Sequence, residues 1–107
     1  MNKEEIINIL INKFPTARAG FIEVLYDALE LHSKKNADYV STDFVQKYNH
    51  VETVAKFLDI RRKYSRLENI IVNEHEVKVD EKLEDTVIDL GNYAFLFAEY
   101  IANLKNI

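Results

Sequence analysis

Three polar residues near the end of the chain have the types and spacing of a potential metal site. Asp85, Asp89 and Asn92 lie at positions i, i+4 and i+7 within LEDTVIDLGNYA, residues 83–94. On a helix, residues at this spacing share one side. Two carboxylates one turn apart can share a hard divalent cation such as Mg²⁺, which takes oxygen ligands. The segment is therefore a candidate site for a cation.

A solvated helix face is the alternative interpretation of the same residues, because Asp side chains are rarely buried. Against it, the apolar residues Ile88, Phe95 and Leu96 fall on the same side of the helix. A helix with apolar residues on both sides is typically covered on both sides. Carboxylates between covered surfaces must be paired, hydrogen-bonded or bound to a cation. Both interpretations stay open at this point.

A compact group of cations lies in the segment RRKYSR, residues 61–66. Lys63 and Arg66 are suited to phosphate oxygens, since a guanidinium can make bidentate contacts with them. The alternative is a solvated flank with ion pairs inside the helix, such as Asp59–Lys63. If this stripe lies opposite the acidic helix, acids would hold a metal ion and bases would hold phosphate.

A second acidic stripe lies earlier in the chain, at Glu23, Asp27 and Glu30, again spaced i, i+4 and i+7. A wet amphipathic face is one interpretation. The other is that Asp27 and Glu30 supply further carboxylates to a metal held by the last helix. The three histidines, residues 32, 50 and 75, have no zinc-site spacing.

The composition predicts one all-α domain over residues 1–107, because Gly 2 and Pro 1 are too few for a turn-rich β fold. With Cys 0 there is no disulfide framework.

The net charge of −4 argues against non-specific nucleic-acid binding. No apolar run is long enough to cross a membrane. The N-terminus carries acids where a signal peptide would be apolar. We therefore expect a cytoplasmic protein.

Apolar spacing predicts four long helices and the residues that pack between them. Thr16 is the predicted N-cap of the second helix and Asp80 that of the fourth. A short additional helix is possible over residues 43–48. The four predicted helices span residues 3–13, about 17–35, about 51–72 and about 81–104. In the last helix, the predicted packed seam consists of Leu83, Val87, Leu90, Ala94, Phe97, Ile101 and Leu104.

Three segments together resemble a known family. HSKKNADY, RRKYSRLENII and EKLEDTVIDLGNYA are similar to motifs of the nucleotide-modification-associated domain of type 1. This family occurs largely in phages and is regarded as a relative of the MazG-like nucleoside triphosphate pyrophosphohydrolases. The resemblance covers about residues 31–100. The matching positions are Lys35, Asp38, Tyr39, Lys63, Arg66, Leu67, Asp85, Thr86, Asp89, Leu90, Asn92, Tyr93 and Ala94.

The resemblance implies a MazG-like, four-helix bundle-like fold, an oligomer (most simply a homodimer), and a nucleotide ligand with Mg²⁺ as cofactor. The implied reaction splits a nucleoside triphosphate into monophosphate and pyrophosphate. Asp85 and Asp89 would be catalytic and would bind the metal, with Asp27 or Glu30. The residues expected to contact phosphate or nucleotide are Lys35, Asp38, Tyr39, Lys63, Arg66, Asn92 and Tyr93.

Lys82 departs from the MazG-like pattern. It stands where the first Glu of the metal-binding motif belongs when Asp85 and Asn92 are matched. This departure motivates an alternative of a different class. The protein would then be a non-catalytic, phage-type module that binds or sequesters a nucleotide, or that contacts another protein. For a phage protein, the expected location is the host cytoplasm.

Overall fold

The computed structural model describes residues 1–35, 47–73 and 83–104. These residues form four α-helices, which confirms the predicted all-α class. The helices are α1 (Lys3–Lys13), α2 (Ala19–Lys34), α3 (His50–Ile71) and α4 (Leu83–Ala102). The predicted N-cap at Asp80 lies outside the described residues, and most of the predicted short helix at 43–48 does as well.

Helix α1 has the predicted bounds, and local chemistry explains them. The Asn2 side chain accepts a hydrogen bond from the Glu5 backbone N–H at 2.9 Å and so caps the first turn. Pro15 follows the last residues of the helix and keeps the residue before it from helical geometry. Helix α1 therefore ends at Lys13, with Phe14 as its C-cap.

Helix α2 begins two residues later than predicted, and the predicted N-cap at Thr16 is wrong. The Ala17 N–H donates to the Phe14 carbonyl at 3.1 Å, which closes a turn around Pro15 and Thr16. The residue that precedes the helix is Arg18, which has extended backbone angles and no capping side-chain hydrogen bond. Residues that were predicted to begin the helix therefore lie in or directly after this turn.

Helix α3 starts at a side-chain cap that the pattern did not identify. Asn49 accepts a hydrogen bond from the Glu52 N–H at 3.1 Å, and its carbonyl accepts one from the Thr53 hydroxyl at 2.8 Å. Glu52 in the first turn favours the positive end of the helix dipole. These contacts set the start of α3 at His50.

The helices pack as two compact units, α1 with α2 and α3 with α4. In the first unit Lys3 contacts Asp27, so the start of α1 lies beside the second half of α2. In the second unit Thr53 contacts Tyr100 and Lys63 contacts Asp89, so α3 and α4 are antiparallel. Single-domain organisation over residues 1–107 stays a prediction.

The predicted apolar seam of α4 is covered only in part. Leu83 and Val87, both assigned to the seam, are 42% and 47% exposed. Ala94 is also exposed, whereas the half-buried seam residues are Leu90, Phe97, Ile101 and Leu104. The buried residues of α4 are instead Thr86, Asp89, Asn92 and Tyr100. The helix is thus rotated so that a largely polar strip is covered. Spacing alone did not show this rotation, because α4 carries apolar residues on more than one side.

In the described parts of the chain (1–35, 47–73 and 83–104), no helix combines the length and the apolar character that crossing a bilayer requires.

Candidate functional site

A buried polar strip on α4 forms the centre of the candidate site. Thr86, Asp89 and Asn92 are 0%, 8% and 6% exposed. They follow one another at three-residue intervals, so they lie within one side of the helix, with Asp89 in the middle. Each takes part in interactions with neighbouring groups. A solvated face is therefore excluded for Asp89 and Asn92.

Helix α3 contributes a cation to this strip. The Lys63 Nζ lies 3.3 Å from a carboxylate oxygen of Asp89, and the two side chains are 16% and 11% exposed. The pair Asp59–Lys63 that was predicted within α3 does not form. Asp59 contacts Arg62 instead, with 3.7 Å between the guanidinium and the carboxylate. Lys63 thus links α3 to α4 at the buried strip rather than serving a solvated flank.

Two arginines accompany Lys63. Arg66 is half-buried and lies three residues further along α3. Since the helices are antiparallel and Lys63 meets Asp89, Arg66 is placed at the level of Thr86. We use the name polar cluster for Lys63, Arg66, Thr86, Asp89 and Asn92. Beside it, the Arg62 guanidinium lies over the ring of Tyr93, 5.8 Å from the ring centre. This distance is within the range of a cation–π contact.

Asp85 differs from the residues of the polar cluster in its exposure to solvent. It is exposed, whereas Asp89 one turn later is buried. Asp85 lies in the first turn of α4 beside Glu84, where a negative charge stabilises the helix through its dipole. The structure therefore places the two predicted metal ligands of α4 in different surroundings.

The predicted site residues of α2 and its C-terminus belong to the first unit. Asp27 lies 2.9 Å from Lys3, and Glu30 lies 3.6 Å from Lys34. Lys35 is half-buried and is the C-cap of α2. Both acids are thus paired with lysines inside their own unit. Asp38, Tyr39 and Lys82 lie outside the described residues.

The Lys3 contact changes the titration of that lysine. The Lys3 ammonium donates a hydrogen bond to the Asp27 carboxylate, and this bond raises the pKa of Lys3 above its ordinary value. Glu23, 3.6 Å from the same ammonium, acts in the same direction with a smaller effect. The pair stabilises the α1–α2 contact.

The fit of the polar cluster to a divalent metal can be tested on its donor atoms. Mg²⁺ needs several oxygen ligands and keeps part of its water shell. Among the residues that the structure describes, no three His, Asp or Glu side chains come together in a way that could hold a metal ion. In the cluster, Asp89 is the carboxylate, and it already contacts Lys63. The described donor set does not fit Mg²⁺.

Sequence reasoning did not predict the burial of Thr86. It matched the family motif but was not among the predicted site residues, and it is the most deeply buried side chain of the described structure. The available signal was its place three residues before Asp89, on the same side of α4. Arg62, which was included only as part of the cationic segment 61–66, contacts the predicted nucleotide residue Tyr93.

An apolar groove lies on the second unit apart from these polar groups. It has a volume of about 310 Å³. Tyr64 and Ile71, which are 58% exposed, form part of its wall. The groove is lined by Tyr64, Leu67, Glu68, Ile71, Val72 and Leu90. Apolar residues of α3 and α4 therefore form a groove that is accessible from one side of the helix pair.

No family model, no curated protein and no solved structure matches this chain. The resemblance to the nucleotide-modification-associated family therefore stays a prediction, and so do the activity and the ligands that it implies.

Proposed function

We propose that the protein binds a nucleotide through its phosphate groups at the polar cluster of α3 and α4. One observation carries the proposal: the Lys63–Asp89 contact lies in a covered, polar part of the helix pair. Lys63 and Arg66 supply the cations for phosphate oxygens. Asn92 is buried on the same side of α4 as Asp89, and Tyr93 contacts Arg62, so these two residues would orient the rest of the nucleotide.

The covered polar strip of α4 supports this proposal. The helix leaves the apolar residues Leu83 and Val87 exposed and covers Thr86, Asp89 and Asn92. These three take part in interactions with neighbouring groups, so their polar side chains are held in place within the helix pair. A polar site that is ordered before its ligand arrives loses less entropy on binding.

The direct experiment is isothermal titration calorimetry with a panel of ribo- and deoxynucleoside mono-, di- and triphosphates, each with EDTA and with Mg²⁺. We expect saturable binding of at least one phosphorylated nucleoside and no binding of the parent nucleosides. A folded sample that binds none of the panel under either condition contradicts the proposal. Thermal stabilisation by the bound nucleotide provides an independent readout.

Mg²⁺-assisted hydrolysis of a nucleoside triphosphate to monophosphate and pyrophosphate is the second candidate. It rests on the motif resemblance, and the exposed Asp85 would need further carboxylates from outside the polar cluster to hold the cation. Under this candidate, the protein would be a member of the MazG-like superfamily and of phage type. Release of pyrophosphate from a triphosphate with Mg²⁺ supports this candidate. Binding without turnover favours the non-catalytic, sequestering module.

We also propose that the protein acts in the cytoplasm as a homo-oligomer, most simply a dimer. The support is the number of large apolar side chains left exposed in both units, including Phe21, Leu29, Phe57 and Phe95. Exposed apolar surface of this kind marks interaction sites. Light scattering over a range of concentrations tests the assembly, and a monomer throughout contradicts it.

A further inference from the structure

We propose that Asp89 is a positioning residue for Lys63, and that the polar cluster takes a phosphate or pyrophosphate group directly, without a divalent cation bound to Asp89. This inference rests on the proposed nucleotide-binding function and names the chemistry of that same site. It differs from the metal-ligand role that the family resemblance implies for Asp89.

The first support is the competition for one carboxylate. The Lys63 ammonium is 3.3 Å from one carboxylate oxygen of Asp89, so a metal ion on the same carboxylate would lie close to this positive charge and would be repelled by it. Mg²⁺ also retains several waters when proteins bind it. The Lys63 and Asp89 side chains are 16% and 11% exposed, so solvent screens the repulsion between Lys63 and a metal ion less than it would at the surface. Asp85, the other predicted metal ligand of α4, is exposed.

The second support is the charge of the polar cluster. Lys63 and Arg66 are the two cationic side chains of the cluster, and an ammonium and a guanidinium can both donate charge-assisted hydrogen bonds to phosphate oxygens. Such donors suit an anionic ligand without a bridging metal. Asp89 offsets the cost of holding Lys63 in a covered place before the ligand binds.

The third support is the flexibility of lysine. A lysine ammonium sits at the end of four methylene groups, and fixing that chain costs rotamer entropy. The contact with Asp89 orients Lys63 before any ligand arrives. A preoriented ammonium loses less entropy when it binds a phosphate oxygen, so removal of the carboxylate weakens anion binding. If Asp89 had no positioning role, its removal would strengthen anion binding, because a nearby negative charge would be lost.

The experiment uses inorganic pyrophosphate in EDTA, titrated into the full chain by calorimetry. The variants are Asp89→Asn, Asp89→Glu as the conservative rescue, and Glu99→Gln as a control for loss of one carboxylate from an exposed position of α4. We expect wild type to bind pyrophosphate without metal. We expect Asp89→Asn to weaken binding on the order of fivefold to tenfold. Asp89→Glu should recover most of the affinity, and Glu99→Gln should equal wild type.

A second measurement on wild type does not depend on how the variants fold. The carboxyl ¹³C resonance of Asp89 is followed while Mn²⁺ alone is added as a paramagnetic substitute for Mg²⁺. We expect no selective broadening of this resonance. Broadening at low Mn²⁺ that is stronger for Asp89 than for Asp85 shows a metal on Asp89 and overturns the inference.

The outcomes separate the inference from the function on which it rests. If wild type binds neither pyrophosphate nor any nucleotide, with or without Mg²⁺, the proposed function fails and the inference fails with it. If wild type binds, but Asp89→Asn binds equally well or more tightly, only the positioning role is overturned. If binding requires Mg²⁺, the metal-free inference is overturned and the hydrolysis candidate gains support.

Discussion

Lys63 of α3 and Asp89 of α4 form an ion pair of 3.3 Å in which both side chains are largely covered. The pair joins the two helices of the second unit at the middle of the polar strip. Neighbouring charges on α3 behave differently, since Arg62 and Asp59 are 60% and 48% exposed. The same helix thus carries a covered ion pair and a solvated one, and their energies should differ.

The first prediction concerns the energy of that covered pair. Lys63→Met and Asp89→Asn should each lower the free energy of unfolding by about 1–3 kcal/mol, because each leaves the other group covered without its counter-charge. The double variant should lose less than the sum of the two. Urea unfolding followed by circular dichroism measures all three.

The exposed pair of α3 is the control for this cycle. Arg62→Met with Asp59→Asn should give a coupling energy of about 0–1 kcal/mol, the range of surface ion pairs. If the two cycles give equal coupling energies, the Lys63–Asp89 pair is not distinguished by its burial.

The second prediction compares two adjacent residues of α4. Thr86→Leu should destabilise the protein by about 1–3 kcal/mol, because Thr86 is 0% exposed and a larger side chain overpacks its position. Val87→Leu should change stability by about 0.5 kcal/mol or less, because Val87 is 47% exposed. Thermal or urea unfolding at low protein concentration makes the comparison. The apolar seam predicted from spacing requires the reverse order, so a larger effect at Val87 would argue against this rotation of α4.

The third prediction assigns the phosphate contacts. Lys63→Gln and Arg66→Gln should each weaken nucleotide binding on the order of tenfold or more, since each removes a charged hydrogen-bond donor. Arg61→Gln removes the same charge from an exposed position of the same segment and should leave affinity within about twofold. Calorimetry at fixed salt provides the affinities. Equal losses at all three positions would indicate a general charge effect rather than a site.

The fourth prediction tests the antiparallel register at the other end of the helix pair. The Tyr100 and Thr53 hydroxyls lie 3.0 Å apart, and Tyr100 is 7% exposed. Tyr100→Phe should cost about 0.5–1.5 kcal/mol. The lower part of this range is expected, because Thr53 keeps its hydrogen bond to the Asn49 carbonyl. The free energy of unfolding is measured for Tyr100→Phe, Thr53→Val and the double variant. If the losses of the two single variants add up to the loss of the double variant, the contact is contradicted.

The fifth prediction concerns pH and the first unit. The Asp27 carboxylate raises the pKa of Lys3 above its ordinary value of 10.5. A group with a raised pKa in the folded state stabilises fully below its ordinary pKa, and this contribution is lost as pH rises through the folded pKa. NMR titration of the Lys3 side chain should show Asp27→Asn lowering this pKa, with a smaller decrease for Glu23→Gln. An unchanged Lys3 pKa in Asp27→Asn would rule out the pair.

Local signals in the sequence were sufficient for the helices themselves. The bounds of α1 follow from Asn2 and Pro15, and the spacing of apolar residues located the other three helices within a few residues. The error at α2 arose where a turn around Pro15 competed with a helix start. Such competition depends on backbone hydrogen bonds that residue types alone do not specify.

The side of α4 that is covered was decided only by tertiary packing. By itself, the sequence determined an all-helical chain, a polar stripe on its last helix and a cationic stripe on α3. It did not determine that Asp89 would be buried against Lys63 while Asp85, four residues earlier, stayed exposed. Helical periodicity gives the relative angles of side chains around one axis. The rotation of that axis against its neighbour depends on long-range contacts, and these set which polar residues become a site.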